Sequence, residues 1–561
     1  MIKDAAKMWK LYFITNPNRW KPIFFLAFII AMEFFVVFLN VQFNEWRAGF
    51  YDSLQTLNED AFTYAIKKFT VLALIFVGVA GYKAYCIQKM QMMWRTWMTT
   101  STLEKYLNSG TYYGLHFLPK GTDNVDQRIS DDIQSFIGMS LRLTLGLLAA
   151  VTTFFSFIYI LWTLSGTIDF IVMNTHIVIG HYLVWLAVVY AVVGTWGTHK
   201  IGKPLSKLCY EQQLKEADFR YSLIRAKENG ESIALNRGEQ SENKRFISYF
   251  GEIITNFNMI IRKQKHLTWW SSFYGQLAVV FPYIVSAHRF FAKEITLGTL
   301  MQTASAFDSV QTSLSWIVDN YSSLADFRAV TQRLTGLDTA VKDWEALTEK
   351  KEFVTEDGST FAIKNLTITL PDNETIIDNQ AFNFRKGRRY VVTGASGTGK
   401  STLLRCLAGI WPYGSGTIVK PKDEKHIFVG QSTYIPLGKL VDVMIYPIDK
   451  LSLHQEQLFT TLLADLGLEE FVDKLGDADD WSKILSGGQK QKIAILRAIL
   501  QEPDVLFLDE STSALDQEGE QKCYESILKY LPDATIISVG HRATIERYHY
   551  SKIILKNKRL V

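Results

Sequence analysis

The run Gly394-Ala395-Ser396-Gly397-Thr398-Gly399-Lys400-Ser401 has the spacing of a loop that closes backbone N–H groups around phosphate oxygens. Gly394, Gly397 and Gly399 allow close backbone approach, Lys400 reaches the β- and γ-phosphates, and the Ser401 hydroxyl ligates Mg2+. Ala395, Ser396, Thr398 and Thr402 complete the cradle. Downstream, the apolar run Val505-Leu506-Phe507-Leu508 ends in Asp509-Glu510. Asp509 supplies a carboxylate for Mg2+, directly or through water, and Glu510 stands beside it to orient and deprotonate an attacking water. A solvated strand end is the plainer reading of two adjacent acids. Next to a phosphate loop, the chemistry they suggest is ATP hydrolysis.

These residues need particular elements to hold them. Arg389-Tyr390-Val391-Val392-Thr393 reads as a buried strand running into the loop, and Ser401-Thr402-Leu403-Leu404-Arg405 opens a helix whose N-terminus adds partial positive charge. Val505 to Leu508 are apolar without alternation, which predicts a strand covered on both faces of a parallel sheet. Leu485-Ser486-Gly487-Gly488-Gln489 precedes a helical run, Lys490 to Leu500, with Ser486 as N-cap and two glycines open to an anion. From about 351 onward, short β-rich runs alternate with helical ones, the pattern of an α/β P-loop domain with an added antiparallel part. Residues 319–350 read as a charged helical connector.

The preceding three hundred residues have a different character. A chain of 561 residues exceeds the size at which one core is usual, and eleven of its 14 Trp residues fall before residue 320. Six apolar segments, at 23–43, 69–88, 143–164, 177–198, 271–290 and 297–318, each approach the ~20 residues of a membrane-spanning helix. The last is interrupted by Gln302, Asp308, Gln311 and Ser313, and a soluble amphipathic helix competes for it. The first segment is too long for a signal-peptide core and reads as a retained anchor. The formal charge of +4 is small for this length and gives no field for nucleic acid. Cys86, Cys209, Cys406 and Cys523 are far apart and read as free thiols.

Charge in the loops orients the segments. Residues 165–176 contain no Lys or Arg, whereas 89–142 and 199–265 carry many, among them Arg95, Lys105, Arg128, Lys200 and Arg220. Positively charged loops stay in the cytoplasm, so the N-terminus, both long loops and the ATP-binding part all lie inside, a parity that six spans satisfy. Trp20, Trp46, Trp94, Trp97, Trp162, Trp196, Trp269, Trp270 and Trp316 fall near segment ends, where indoles favour the headgroup region; ordinary packing is the alternative.

With Gln431 upstream, Ser513-Ala514-Leu515-Asp516 after the acids and His541 after the strand Thr535-Ile536-Ile537-Ser538-Val539, the motif set resembles that of ABC transporter ATPases. The resemblance implies that Ser486, Gly487, Gly488 and Gln489 of one subunit close over the γ-phosphate held by another. It also implies that Gln431 links Mg2+ to the membrane part, that Asp516 communicates across the dimer, and that His541 contacts the γ-phosphate. One chain carries one such domain, so a homodimer of half-transporters with two ATP sites and twelve spans is expected. One departure stands out: the aromatic residue that commonly stacks on adenine should fall near Ile368-Thr369-Leu370-Pro371, and none is there. This predicts weaker base selectivity without touching the phosphate chemistry.

A narrower resemblance covers nearly the whole chain. Asn124-Val125-Asp126-Gln127-Arg128-Ile129, Glu216-Ala217-Asp218-Phe219-Arg220, Glu228-Asn229-Gly230-Glu231, Gly409-Ile410-Trp411-Pro412 and Tyr446-Pro447 look like the bacterial SbmA/BacA-related ABC proteins. That group includes YddA-like proteins and a mycobacterial vitamin B12 and peptide importer, and the peroxisomal subfamily D fatty-acyl-CoA transporters are similar. The resemblance implies an exporter-type fold: an α-helical membrane domain at 1–335, a linker at 336–350 and the ABC ATP-binding domain at 351–561. Short coupling helices at 124–129 and 228–231 are expected to touch the ATPase, with solvated charged helix as the alternative. It implies a bacterial inner membrane location and a hydrophilic or amphipathic cargo, peptide or cobalamin-like, moved inward. A fatty-acyl exporter and an ATP-gated membrane regulator without cargo are the competing readings. Glu33, within the first span, either lines a polar cavity or carries a proton, or else forms a structural pair, with Lys83 one conceivable partner.

Overall fold

The computed structural model describes residues 2–118, 124–172, 175–349, 352–540 and 542–561. They form two compact units. The first comprises Met1–Tyr106 and Thr122–Thr339, and the second Leu107–Gly121 and Ala340–Val561.

The first unit is built from long helices: α1 Trp20–Gln55, α2 Glu59–Leu107, α3 Ile133–Leu164, α4 Tyr182–Glu228, α5 Glu239–Phe291 and α6 Leu297–Asp319. Among the described residues, four helices are long and apolar enough to cross a membrane: α1, α2, the run Val125–Leu164 that contains α3, and α4. Segments 271–290 and 297–318 lie in α5 and α6, helices whose apolar windows are diluted by polar residues. The helices of 36 to 49 residues are about 54 to 74 Å long, well beyond the ~30 Å hydrocarbon layer. Phe24, Leu74 and Val77 point outward, each at least 68 % exposed, and such a surface is stable only against lipid or protein.

The structure differs from the sequence reading in three places. The fourth segment does not begin as helix at 177: Thr175–Gly180 pairs antiparallel with Thr167–Val172, and α4 starts at Tyr182. Runs of Ile, Val and Thr explain this, because β-branched residues suit a pleated ribbon better than a helix. Trp94 is fully buried, stacked on Tyr12 with ring centroids 5.0 Å apart, so packing holds it and not a headgroup layer. Trp20, Trp162, Trp196 and Trp269 do point outward. Residues 124–129 lie in the first unit, as the sequence reading assigned them, and form the three-residue helix Val125–Gln127 and a π-turn leading into α3. The third difference is the stretch from Leu107, which belongs to the second unit.

Asp132, buried at the start of α3, is gripped by Arg333 through two charge-assisted hydrogen bonds of 2.6 and 2.7 Å. Arg333 lies on α7, Tyr321–Glu349, a single helix through the predicted connector.

The second unit holds a six-stranded sheet. Its strands are β1 Arg389–Thr393, β2 His426–Val429, β3 Val505–Asp509, β4 Thr535–Val539, β5 Ser551–Lys556 and β6 Arg559–Leu560, in the order β6-β5-β1-β4-β3-β2. All pairings are parallel except the terminal hairpin β5–β6. Every residue from Val505 to Leu508 and from Thr535 to Val539 is buried, as expected for strands covered on both faces. A separate four-stranded sheet, Glu352–Asp357, Gly414–Lys420, Phe361–Thr369 and Thr375–Phe384, is the added antiparallel-rich part.

In this unit the described part of 107–121 packs by aromatic contact. The Phe117 ring lies 5.2 Å from Trp411 and 5.0 Å from Tyr113, and the Tyr413 hydroxyl donates to the Phe117 carbonyl at 3.4 Å. Gly114 makes room for it: a Cβ there would lie 2.0 Å from the Trp344 ring.

Candidate functional site

β1 delivers the chain to the glycine loop at the C-terminal edge of the parallel sheet, where open α/β sheets bind ligands. Strand β1 has β5 on one side and β4 on the other, so the strand order reverses there and leaves a crevice. Gly397 and Gly399 adopt φ of 80° and 97°, the left-handed region that a side chain disfavours. Gly399 is also tight, because a Cβ there would meet Ile376 at 2.9 Å. The helix α8, Lys400–Leu407, begins directly after it.

Lys400 is buried, and its ammonium folds back onto its own loop. Nζ donates to the Gly394 carbonyl at 3.0 Å and to the Ala395 carbonyl at 2.8 Å. Burial pushes its pKa below the usual lysine value, while the Glu510 and Asp509 carboxylates pull it back up. The Ser401 hydroxyl donates to Asp509 Oδ1 at 2.9 Å, across 108 positions of sequence. Burial pushes the Asp509 carboxyl above the ordinary carboxylate range; the Ser401 hydrogen bond opposes this and the Glu510 charge adds to it. A hydroxyl and a carboxylate brought together in this way are the hard oxygen donors that Mg2+ takes. The loop and this pair therefore fit a nucleoside triphosphate with its metal ion.

Glu510 follows β3 with φ of 47°, a backbone state that costs a non-glycine residue roughly 1–2 kcal/mol and that clusters at functional positions. Its N–H donates to the Val539 carbonyl at 3.0 Å, which fixes the turn to β4. Its carboxylate accepts from Gln431 Nε2 at 3.1 Å. Lys400, Ser401, Asp509, Glu510 and Gln431 are thus linked by contact or by mutual charge. The remaining loop residues, Ala395, Ser396, Thr398 and Thr402, follow in the same turn and first helical turn, with Thr398 Oγ1 donating to the Ala395 carbonyl at 2.9 Å.

Ser486 caps α9, Gly487–Leu500, through a reciprocal pair: Gln489 N–H to Ser486 Oγ at 3.2 Å and Ser486 N–H to Gln489 Oε1 at 2.8 Å. The glycines lie against the loop 514–515: a Cβ on Gly488 would meet Leu515 at 3.2 Å, and one on Gly487 would meet Ala514 at 3.4 Å. Asp516 caps the next helix, α10 Gln517–Tyr530, accepting from the Gly519 N–H at 2.9 Å. His541 lies outside the described residues.

Three supporting residues escaped the sequence reading. Gln491 joins the two loops, donating to Ser513 Oγ at 3.1 Å and accepting from the Ala514 N–H at 2.8 Å. Arg542 donates to the Leu515 and Ser513 carbonyls, both at 2.8 Å. Arg497 is buried and binds the carbonyls of Tyr434 and Val443, which bracket the segment after Gln431. Its signal was available: it is the one charge in the otherwise apolar run Ile493–Leu500.

Comparisons with known proteins point to one family. The family described as ABC transporter transmembrane region 2 matches residues 8–291, and the ABC transporter family matches residues 377–513. The inner membrane ABC transporter ATP-binding protein YddA of Escherichia coli is 32 % identical over 94 % of this chain and 93 % of its own. The lysosomal cobalamin transporter ABCD4 of Mus musculus is 24 % identical over 86 % of this chain and 84 % of its own. A solved bacterial Atm1-family ABC exporter with ATP bound superposes with a TM-score of 0.73 at 16 % identity, over 96 % of this chain and 95 % of that one, a likeness of fold. The helices long enough to span a bilayer, the phosphate loop with its paired acids and the full-length relatives agree: this chain belongs to the ABC transporters, with a membrane region fused to its own ATP-hydrolysing domain.

Proposed function

We propose that two copies of this chain form an ATP-driven transporter with two ATP sites and twelve spans, six from each copy. Residues 1–335 are assigned to the membrane part, 336–350 to the linker and 351–561 to the ATPase. The observation that carries the reading is the meeting of the Ser401 hydroxyl with Asp509 at 2.9 Å and of Gln431 with Glu510 at 3.1 Å beside the Lys400 loop.

In this reading Gly394 to Thr402 hold the triphosphate through backbone N–H groups and the Lys400 ammonium. Ser401, Asp509 and Gln431 hold Mg2+, which when bound neutralises charge on the β- and γ-phosphate oxygens. Glu510 takes the proton of the attacking water, and its hydrogen bond from Gln431 aims the carboxylate. Ser486, Gly487, Gly488 and Gln489 of the second copy close over the γ-phosphate, with Asp516 at the seam and His541 as a further γ-phosphate contact. Closure of that seam turns the membrane cavity from one side to the other, and hydrolysis releases it.

The cargo is hydrophilic or amphipathic, peptide or cobalamin-like, and moves inward across a bacterial inner membrane with the ATPase in the cytoplasm. The relationship to YddA and to a protein named a cobalamin transporter supports this assignment. Proteoliposomes with outward-facing ATPase domains, challenged with peptides, cyanocobalamin and acyl-CoA, test it. ATP-dependent movement of peptide or cobalamin that disappears in Glu510→Gln is the expected result. Movement of acyl-CoA alone, or ligand-stimulated hydrolysis with no solute movement, would overturn the cargo assignment.

A further inference from the structure

A cavity of about 910 Å3 opens within the first unit, between α1, α2 and the start of α3. Its volume lies at the upper end of the range for small-ligand sites. The lining follows helical spacing. Lys83, Ile87 and Gln91 stand four residues apart on one face of α2, and Asp131, Gln134, Gly138 and Arg142 share one face leading along α3. The Glu33 carboxylate closes one wall, paired with Lys83 at 2.9 Å. This settles the geometry of Glu33: the pair and the cavity coexist, because both members of the pair line the space.

The rest of the polar lining carries no ion pair among the described residues. Among the described residues, Arg142 makes one side-chain hydrogen bond, to Ser323 Oγ at 3.0 Å, and has no acidic partner. Among the described residues, no ion pair reaches Asp131 and no side-chain hydrogen bond involves Gln91 or Gln134. Their neighbour Asp132, by contrast, is fully engaged by Arg333, which holds the backbone that carries Asp131. A cation, an acid and two amides on helix faces at the edge of an apolar span need water or a polar solute opposite them.

Their separation selects the solute. Asp131 and Arg142 are eleven residues apart, about 16 Å along a helix at ~1.5 Å per residue. An extended peptide covers that distance in four to five residues at ~3.4 Å each. We propose that this cavity binds a short zwitterionic peptide lengthwise, its carboxylate on Arg142, its ammonium toward Asp131 and its backbone amides on Gln91 and Gln134. The proposal rests on the transporter reading for its purpose but not for its geometry. It deepens that reading by choosing the peptide among the cargoes proposed above and by naming the residues that recognise it. Gly138 keeps the floor low, since a Cβ there meets nothing within 4 Å.

The test uses the purified full chain in lipid nanodiscs without nucleotide, with tetra-alanine as probe alongside its C-terminal amide and its N-acetyl form. Tetra-alanine is expected to bind about tenfold more tightly than either blocked form, the scale of one charge-assisted hydrogen bond. Arg142→Gln should abolish the difference between acid and amide while keeping the difference between free and acetylated amine, and Arg142→Lys should restore most of the loss. Gly138→Leu fills the floor and should weaken all three peptides at least tenfold. The assignment fails if end-blocking does not matter in the unmodified protein, if Arg142→Gln still separates acid from amide, or if Gly138→Leu binds as before. Uptake is measured separately. Binding as described with no ATP-dependent uptake of any solute defeats the transport reading and leaves the site. ATP-driven uptake of cyanocobalamin with no tetra-alanine binding defeats the site and leaves the transporter.

Discussion

Gln431 Nε2 donates to the Glu510 carboxylate at 3.1 Å, although 79 positions separate the two in sequence. The contact joins the end of β2 to the end of β3, adjacent parallel strands, so any shift of the segment after Gln431 moves the carboxylate proposed above to face the attacking water. Glu510→Gln is expected to retain ATP binding, trap a closed dimer and lower turnover by at least a hundredfold. Gln431→Ala should give a smaller loss, about tenfold, because it removes aim and a metal contact but leaves the base. Single-turnover ATP hydrolysis with parallel size measurement checks both, and turnover of Glu510→Gln at the unmodified rate would show that another group is the base.

Gly114 is expected to resist substitution. Its φ is ordinary, so Gly114→Ala tests space and not backbone freedom. A methyl 2.0 Å from the Trp344 ring forces that buried indole to move, and overpacking of this kind costs about 1–3 kcal/mol. The loss should shrink when Trp344→Leu is already present, because the smaller side chain vacates the space. Thermal unfolding of the four species in a double-mutant cycle measures the coupling, and additive losses would mean that the two residues do not compete.

Arg497 is a buried cation held by carbonyls and by the Tyr446 ring 5.3 Å away. Burial lowers its pKa to about 10, still well above neutrality, so it remains charged. Arg497→Met keeps much of the volume but leaves the Tyr434 and Val443 carbonyls without their donor, at a cost of about 2–3 kcal/mol. The segment after Gln431 should loosen first, seen as faster amide exchange at 432–446 than elsewhere in the ATPase.

Asp465 supplies a pH test. Hydrogen bonds from Lys529 and from the Tyr530 hydroxyl, each 2.7 Å, hold its carboxyl below the ordinary carboxylate range. A depressed folded pKa contributes stability above the unfolded value of about 3.9 and loses it as pH falls through the folded value. Asp465→Asn should therefore be less stable than the parent chain at pH 7, by a small margin because the pair is largely solvated, and the gap should close as pH falls through the folded value. A gap that stays constant across that fall would assign the effect to packing.

Leu370 occupies the turn where the family resemblance leads one to expect an adenine-stacking ring, tied by Leu370 N–H to the Glu374 carbonyl at 2.8 Å. An aliphatic side chain offers area without a π-face, so preference for ATP over GTP should be weak, within a few fold in KM. Leu370→Tyr should tighten ATP binding more than GTP binding, and competition with a fluorescent ATP analogue measures both.

The phosphate loop, the paired acids after an apolar strand and the capping box at Ser486 were legible because each is local. Glycine spacing, unbroken apolar runs and N-cap chemistry act within a few residues, and the side chains carry the signal themselves. The apolar segments were legible for the same reason, although the Ile- and Val-rich start of the fourth satisfies hairpin and helix equally, and only pairing with Thr167–Val172 separated them. What the fold alone decided depends on groups far apart in the chain. The hydrogen bonds of Ser401 with Asp509, Gln431 with Glu510 and Arg333 with Asp132 arise from sheet order and helix packing, which no neighbouring residue encodes. The same holds for the move of Leu107–Gly121 to the ATPase unit, fixed by Phe117 against Trp411, and for the cavity that brings Glu33, Lys83, Asp131 and Arg142 around one space. Residue type states what a side chain can bind, and tertiary packing decides which partner it meets.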